Sequence, residues 1–206
     1  EHCYSQPLCT PSRVQIMTGI YNVRNYVGFA RLDRKQTTFA HLLKKAGYAT
    51  CIAGKWQLGR DKDSPLHFGF DQSCLWQHTR GGRSMKDDIK YDRRFVNPLF
   101  EINGEEKDFT DGEYGPQVCA DFVCDFIEKN KEKPFLVYYP MLLTHGPHTV
   151  TPFNREKKPE GKTALYAGNV TYMDHLLGRL VAAVDKLGLK NKTMIVFTGD
   201  NGSAVS

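Results

Sequence analysis

Apolar residues recur along the chain at two spacings. Val118, Phe122, Val123, Phe126 and Ile127 fall three and four residues apart between Pro116 and Lys129, the stripe of an amphipathic helix. Val170, Met173, Leu177, Leu180, Val184 and Leu187 repeat that pattern and predict a long helix from about residue 163. Two shorter helices are marked by their ends. Thr10 as N-cap, Pro11 at the first helical position and Gly19 after the last turn predict a helix over residues 11–18. Thr37 or Thr38 as cap, then Phe39, Leu42, Leu43 and Ala46, with Gly47 as terminator, predict a second. Strand-like runs alternate with these helices at residues 48–53, 134–140 and 193–198, the last apolar enough to predict a buried strand. Residues 60–115, rich in Gly, Asp, Lys and Arg, lack a period and predict long loops with an edge hairpin. Alternation of helix and strand without an internal repeat predicts an α/β fold with a largely parallel sheet.

Composition narrows the class. Of the 206 residues 40% are hydrophobic and 12% aromatic, enough for a packed core, which excludes a chain disordered throughout. The net charge of +5 comes from scattered Lys and Arg, with no basic stripe interleaved with aromatics, so nucleic acid is not an expected partner. The longest apolar run, residues 135–143, is broken by Pro140 and falls short of the roughly 18 to 20 residues that cross a bilayer, so no membrane span is expected. The sequence opens at Glu1 rather than Met and stops just after an Asp-Asn-Gly turn. It therefore reads as part of one catalytic domain, truncated at both ends and without its signal region. Six cysteines, at positions 3, 9, 51, 74, 119 and 124, include no CxxC pair and are too sparse for a disulfide scaffold. Cys51 and Cys119 read as small buried apolar residues.

Each predicted strand runs into a polar cluster: GKWQLG after Ala53, THGPH after Leu143 and TGDNG after Phe197. The carboxyl ends of strands in an open parallel sheet share one edge, so Lys55, His145, Asp200 and Asn201 are expected in one crevice. Singly, each has an ordinary reading as a loop lysine, a turn histidine or turn chemistry. Together, a lysine, a histidine and the positive end of the helix near Thr10 favour an anion with tetrahedral oxygens. Asp200 and Asn201 offer hard oxygen ligands suited to calcium or magnesium. The residues thus point to a metal-assisted site for sulfate or phosphate esters.

Cys9-Thr10-Pro11-Ser12-Arg13, followed by the MTG of Met17 to Gly19, resembles the signature of the type I sulfatases. GYATCIAGKWQLG from Gly47 to Gly59 resembles that family's second signature, and the HGP at His145 and FTGDNG at Phe197 match further motifs in the family's order. The resemblance covers essentially the whole chain. It implies an alkaline-phosphatase-like three-layer α/β sandwich and hydrolysis of sulfate esters. It also implies oxidation of Cys9 to formylglycine by a formylglycine-generating enzyme or anaerobic maturase that reads Cys9, Pro11 and Arg13. The hydrated aldehyde would attack sulfur with one oxygen and expel sulfate with the other, covalent catalysis with a built-in release step. Carried over, Arg13 would orient the formylglycine, Lys55 would bind the sulfate, and His145 would bind it and protonate the leaving oxygen. Asp200 and Asn201, with the modified Cys9, would ligate a divalent cation, Ca2+ in preference to Mg2+.

Three departures accompany the resemblance. Gln57 stands where the family has a histidine, and glutamine cannot accept a proton usefully near neutral pH. The family's paired aspartates upstream of the cysteine motif and its lysine beyond the Asp-Asn motif would lie outside residues 1–206, so these residues alone are expected to be inactive. Trp56 and Trp76 are candidate sugar platforms, with core packing favoured for Trp56. Asp174 reads as an ordinary helix-surface residue. The expected substrates are sulfated small molecules or sulfated polysaccharides, and the expected location is secreted or periplasmic, or lysosomal or extracellular in a eukaryote. The competing readings are a phosphonate or phosphodiester hydrolase of the same superfamily and a degenerate sulfated-glycan-binding protein.

Overall fold

The computed structural model describes residues 5–76, 78–79, 93–157 and 159–202. Its elements run α1 (Cys9–Thr18), α2 (Phe39–Lys45), β1 (Ala49–Lys55), α3 (Ser64–His67), β2 (Gln72–Trp76), β3 (Leu99–Ile102), β4 (Glu105–Asp108), α4 (Gly115–Lys129), β5 (Phe135–Tyr138) and α5 (Lys162–Lys186), with short 3-10 turns at Asn22–Arg24 and Lys190–Lys192. The sheet order is β4-β3-β2-β1-β5. β1 pairs in parallel with β2 and with β5, while β3 pairs antiparallel with β2 and β4 pairs antiparallel with β3 in the expected hairpin.

The central strands are buried on both faces, so neighbouring residues serve different cores. Ile52 and Leu75 face a layer built with Val14 and Met17 of α1 and Ala40 of α2. Ala53 and Cys74, one position along or back, face Cys119, Val123 and Ile127 of α4 and Val184 of α5. Helices on both sides of one sheet make the three-layer sandwich that the resemblance implies, on the α/β frame that the alternating pattern predicts. Cys51 and Cys119 are fully buried thiols, and all five described cysteines are free. Burial, the largest influence, raises both thiols above the ordinary range, as expected of inert core residues.

The helix ends repay the local reading with one shift. Thr38 caps α2 by accepting the His41 N–H, and His41 Nδ1 accepts the Thr38 N–H in return, a capping box. Gly19 closes α1 in the left-handed conformation. The first turn of α1, however, starts at Cys9, with Leu8 rather than Thr10 at the cap position. Thr10 Oγ1 instead accepts the Ala30 N–H at 3.1 Å, so its hydroxyl ties a following loop down rather than capping the helix.

Two elements within residues 60–115 were not predicted. β2 carries a consecutive apolar trio, Cys74, Leu75 and Trp76, too short for a period, and the four-residue α3 has no amphipathic stripe. The larger correction concerns residues 193–198. They form no strand: Met194, Ile195, Val196 and Phe197 are exposed, Phe197 at 60%, and β5 is the last strand on that side of the described sheet. An apolar run reports a tendency to be buried; a strand also needs a partner edge, and this segment leaves the end of α5 without reaching one.

Gly54 sets the height of the sheet at the site. It adopts φ 107°, and an added Cβ would overlap the Pro140 carbonyl oxygen. That close approach lets the Lys55 N–H donate to Pro140 O at 3.0 Å, which ties the end of β1 to the segment leaving β5.

Candidate functional site

Cys9 opens α1, and no side chain caps the helix and no acidic residue lies in its first turn, so the partial positive charge of the free N–H groups falls at the thiol. The half-buried Cys9 lines a cavity of about 270 Å³ together with Lys55, Gln57, Arg94 and His145. Lys55 is the last residue of β1, in register with Trp76, the last residue of the parallel β2, so their side chains leave the same face at the carboxyl edge. Trp76 lines the same cavity. His145 reaches it from the loop after β5, whose buried Leu142 and Leu143 anchor that loop in the core.

Arg13 is only 2% exposed and is not among the described lining residues. Its Nε donates to Trp56 O at 2.9 Å, its Nη2 donates to Lys55 O, and its guanidinium carbon lies 5.8 Å from the Tyr138 ring. One arginine on the first turns of α1 thus satisfies the carbonyls that end β1. It fixes the spacing between the segment bearing Cys9 and the strand bearing Lys55. Trp56 is a core residue, its indole N–H donated to Ser64 Oγ at 3.1 Å.

The Lys and Arg side chains among the described residues of the cavity wall are Lys55, Arg60 and Arg94. Burial lowers the Lys55 ammonium below the ordinary lysine range; the charge and hydrogen bond of Cys9 oppose that shift, and Arg13 and Arg94 reinforce it. His145 Nδ1 is 2.7 Å from Gly146 O and 3.2 Å from Arg94 Nη1. Gln57 sits in the left-handed region at φ 56°, and its buried Oε1 has no donor among the described residues. An orphaned acceptor beside Cys9 suits a hydroxyl donor arriving on the nucleophile or substrate.

His78 and Glu101 form a buried pair at the edge of this cavity, 3.2 Å apart. His78 Nε2 lies 2.8 Å from Asp61 O, and Glu101 Oε1 accepts the Thr79 N–H at 2.8 Å. Burial alone would raise the Glu101 carboxyl, but hydrogen bonds from His78 and Thr79 hold it below the usual range. Its stabilisation is therefore present above the unfolded pKa of about 4.3 and lost as pH falls through the lower folded value. Glu101→Leu in the full-length protein is expected to cost about 3 kcal/mol at neutral pH, because it strands a buried imidazole. Thermal unfolding checks this, and an unchanged melting temperature would show the pair to be dispensable; the difference should narrow on acidification.

The structure brings Cys9, Lys55, Gln57 and His145 to one cavity, with Arg13 bonded to the Lys55 and Trp56 carbonyls. Asp200 and Asn201 are not among the described lining residues. Asp200 lies near enough to Tyr138 to raise its phenol, a smaller effect than the burial of that ring. Asn201 has a buried Oδ1 without a donor among the described residues, which fits an oxygen ligand for a hard cation. No cluster of three or more His, Cys, Asp or Glu that could hold a metal occurs among the described residues, so these two supply at most part of a ligand shell. Asp174 is exposed on α5. Sequence reasoning missed Arg94 and His78, whose neighbourhood carries no period or motif; Trp76 it had only as a sugar platform.

No described helix is long and apolar enough to cross a membrane. The chain is 26% identical over 281 residues to arylsulfatase D of Homo sapiens, covering 98% of this chain and 47% of that protein. It is 27% identical over 227 residues to N-acetylgalactosamine-6-sulfatase of Mus musculus, covering 98% of this chain and 42% of that protein. The chain thus spans about half the length of the curated relatives it matches. Among solved structures, the crystal structure of Ps i-CgsB superposes with a TM-score of 0.71 at 23% identity, over 89% of this chain and 46% of that one. The three layers are those of the alkaline-phosphatase-like sulfatase fold. The model of the sulfatase family matches residues 1–206, and the chain belongs to that family.

Proposed function

We propose that the full-length protein hydrolyses sulfate esters and that this chain supplies the nucleophile and much of the sulfate clamp. The observation that carries this reading is the shared cavity of Cys9, Lys55 and His145, with Arg13 tying the Cys9 helix to the Lys55 strand. Oxidised to formylglycine, position 9 would supply a hydrated aldehyde as nucleophile, placed where the helix start favours an anion. Lys55 holds sulfate oxygens by charge. His145 binds beside it and delivers a proton to the departing alcohol oxygen. Gln57 accepts a hydrogen bond and moves no proton, so release of sulfate relies on another base. Asp200 and Asn201 would hold part of the shell of a calcium ion, whose contribution when bound is to polarise the sulfate. Further oxygen ligands would come from the remainder of the protein, and residues 1–206 by themselves would not turn over.

The mouse relative's name assigns it a sulfated amino sugar, and a sulfated saccharide is the substrate class proposed here. The test is a pair of rates, on an aryl sulfate and an aryl phosphodiester, with the full-length protein co-expressed with a maturase. Faster turnover of the sulfate is the expected result. A strong preference for the phosphodiester rejects the proposal in favour of a diesterase, and turnover of neither, with an unmodified Cys9, leaves a glycan-binding protein.

A further inference from the structure

Phe29, Trp56 and Trp76 are the Phe and Trp side chains among the described residues that line the Cys9 cavity. Trp56 is a buried core residue. The Trp76 ring has the Arg94 guanidinium over one face, its central carbon 4.1 Å from the ring centroid. Phe29 differs from both: it is 52% exposed and belongs to none of the three core clusters, so its ring lines the cavity without serving the packing of the fold.

The loop that carries Phe29 is anchored to the helix that carries Cys9. Asn22 Nδ2 donates to Pro11 O at 3.1 Å, Asn25 Nδ2 donates to Thr18 Oγ1 at 2.9 Å, and the Ala30 N–H donates to Thr10 Oγ1 at 3.1 Å. Beyond Phe29 the Leu32 N–H donates to Leu58 O at 3.1 Å, which ties the far end of the loop to the segment after β1. Ala30, which also lines the cavity, is held at φ 58°, a left-handed conformation that residues with a Cβ seldom adopt and that is kept where the surroundings impose it, as at ligand sites. The residue after Cys9 thus holds the residue after Phe29. One hydrogen bond couples the aromatic wall to the position of the nucleophile.

The remaining walls indicate what the ring is there to cover. At about 270 Å³, against a liquid volume of about 30 Å³ per water, the cavity has room for a ring beside a five-atom sulfate. Trp76 Nε1–H is a buried donor and Gln57 Oε1 a buried acceptor, each without a partner among the described residues. A hydrocarbon would leave both unpaired. The hydroxyls of a saccharide can serve both, since each donates and accepts, and the C–H face of the same ring is apolar enough to lie on Phe29.

We propose that Phe29 is a specificity-determining platform that receives the apolar face of the saccharide ring bearing the scissile sulfate. The inference rests on the sulfatase reading for the position of that sulfate at Cys9. With the sulfate oxygens held at Lys55, the ring that carries them extends along the same cavity, where Phe29 covers its C–H face and Trp76 and Gln57 meet its hydroxyls. A sulfate ester too small to reach Phe29 gains nothing from it.

The test uses the full-length matured protein with two kinds of substrate: glucose and galactose sulfated at single positions, and ethyl sulfate, an alkyl ester without a ring. Phe29→Ala is expected to lower kcat/KM on the best of the sugar sulfates by about tenfold, mainly through KM, and to change ethyl sulfate turnover by less than about twofold, as follows from losing the burial of about half a phenyl side chain. Phe29→Trp should keep the sugar substrate. Tyr21→Ala and Val23→Ala, exposed on the same loop but not among the described lining residues, should behave as the wild type. Equal losses on both kinds of substrate in Phe29→Ala overturn the proposal and make Phe29 a support for Cys9. Unchanged rates on both also overturn it.

Calorimetric titration of the same sugar sulfates into full-length Cys9→Ala protein separates this proposal from the sulfatase reading, because it requires neither maturation nor turnover. Binding that weakens about tenfold when Phe29→Ala is added supports the platform even if the wild type hydrolyses no sulfate. Binding that is unaffected by Phe29→Ala, or no binding of any sugar sulfate, overturns the platform even if the matured protein hydrolyses ethyl sulfate.

Discussion

Cys9→Ala in the full-length protein is expected to lower aryl sulfate turnover by about 10⁵- to 10⁶-fold, the scale seen when a covalent nucleophile is removed and the rest of a site is left intact. Cys9 is half-buried at the first turn of α1 and packs in none of the three core clusters, so the substitution should leave the fold in place. Cys9→Ser is the sharper variant. It keeps a nucleophilic oxygen of similar size but forms a sulfate ester with no second oxygen on the same carbon to expel it, so one fast turnover followed by arrest is expected. Peptide mass spectrometry supplies the independent check: conversion of Cys9 to formylglycine makes its peptide lighter by about 18 Da. Wild-type rates in either variant would mean that the thiol is a bystander and that the chemistry lies elsewhere.

Lys55→Ala is expected to cost about 10³-fold in kcat/KM, the loss that follows removal of one charged donor from a preorganised anion site. The magnitude depends on rigidity. The Lys55 N–H is fixed to Pro140 O and its carbonyl is held by Arg13, so no neighbouring lysine can move into its place without undoing the end of β1. The sign of the pH dependence follows from burial. An ammonium whose pKa is lowered loses its proton earlier on the alkaline side, so kcat/KM should fall below the usual lysine range of about 10.4. Lys55→Arg keeps its charge at any accessible pH and should remove that limb while retaining more activity than Lys55→Ala. An alkaline limb identical in both proteins would assign it to another group.

How far the chain could be read in advance follows from where its signals are local. The cap expected at Thr37 or Thr38, Gly19 at the end of α1, and the stripes of α4 and α5 are set by residues a few positions apart, and all appear in the structure, the cap at Thr38. The gathering of Lys55 and His145 was legible because both follow strands of one parallel sheet, whatever the length of the intervening chain. Arg94 and His78 were not, since they are brought in by β2 and by the segment before β3, whose neighbours in space are distant in sequence. Cys9 was expected just before a helix capped by Thr10; the helix instead begins at Cys9 itself, its cap position two residues earlier at Leu8. The role expected for Arg13 shows the remaining gap. Its motif marks it as close to the nucleophile, but only coordinates show its donors on the Lys55 and Trp56 carbonyls.

The ribbon from Met194 to Phe197 ends only two residues, Thr198 and Gly199, before Asp200, and that arithmetic has a mechanical outcome. Wherever those greasy side chains find shelter, the carboxylate and carboxamide that follow must travel with them.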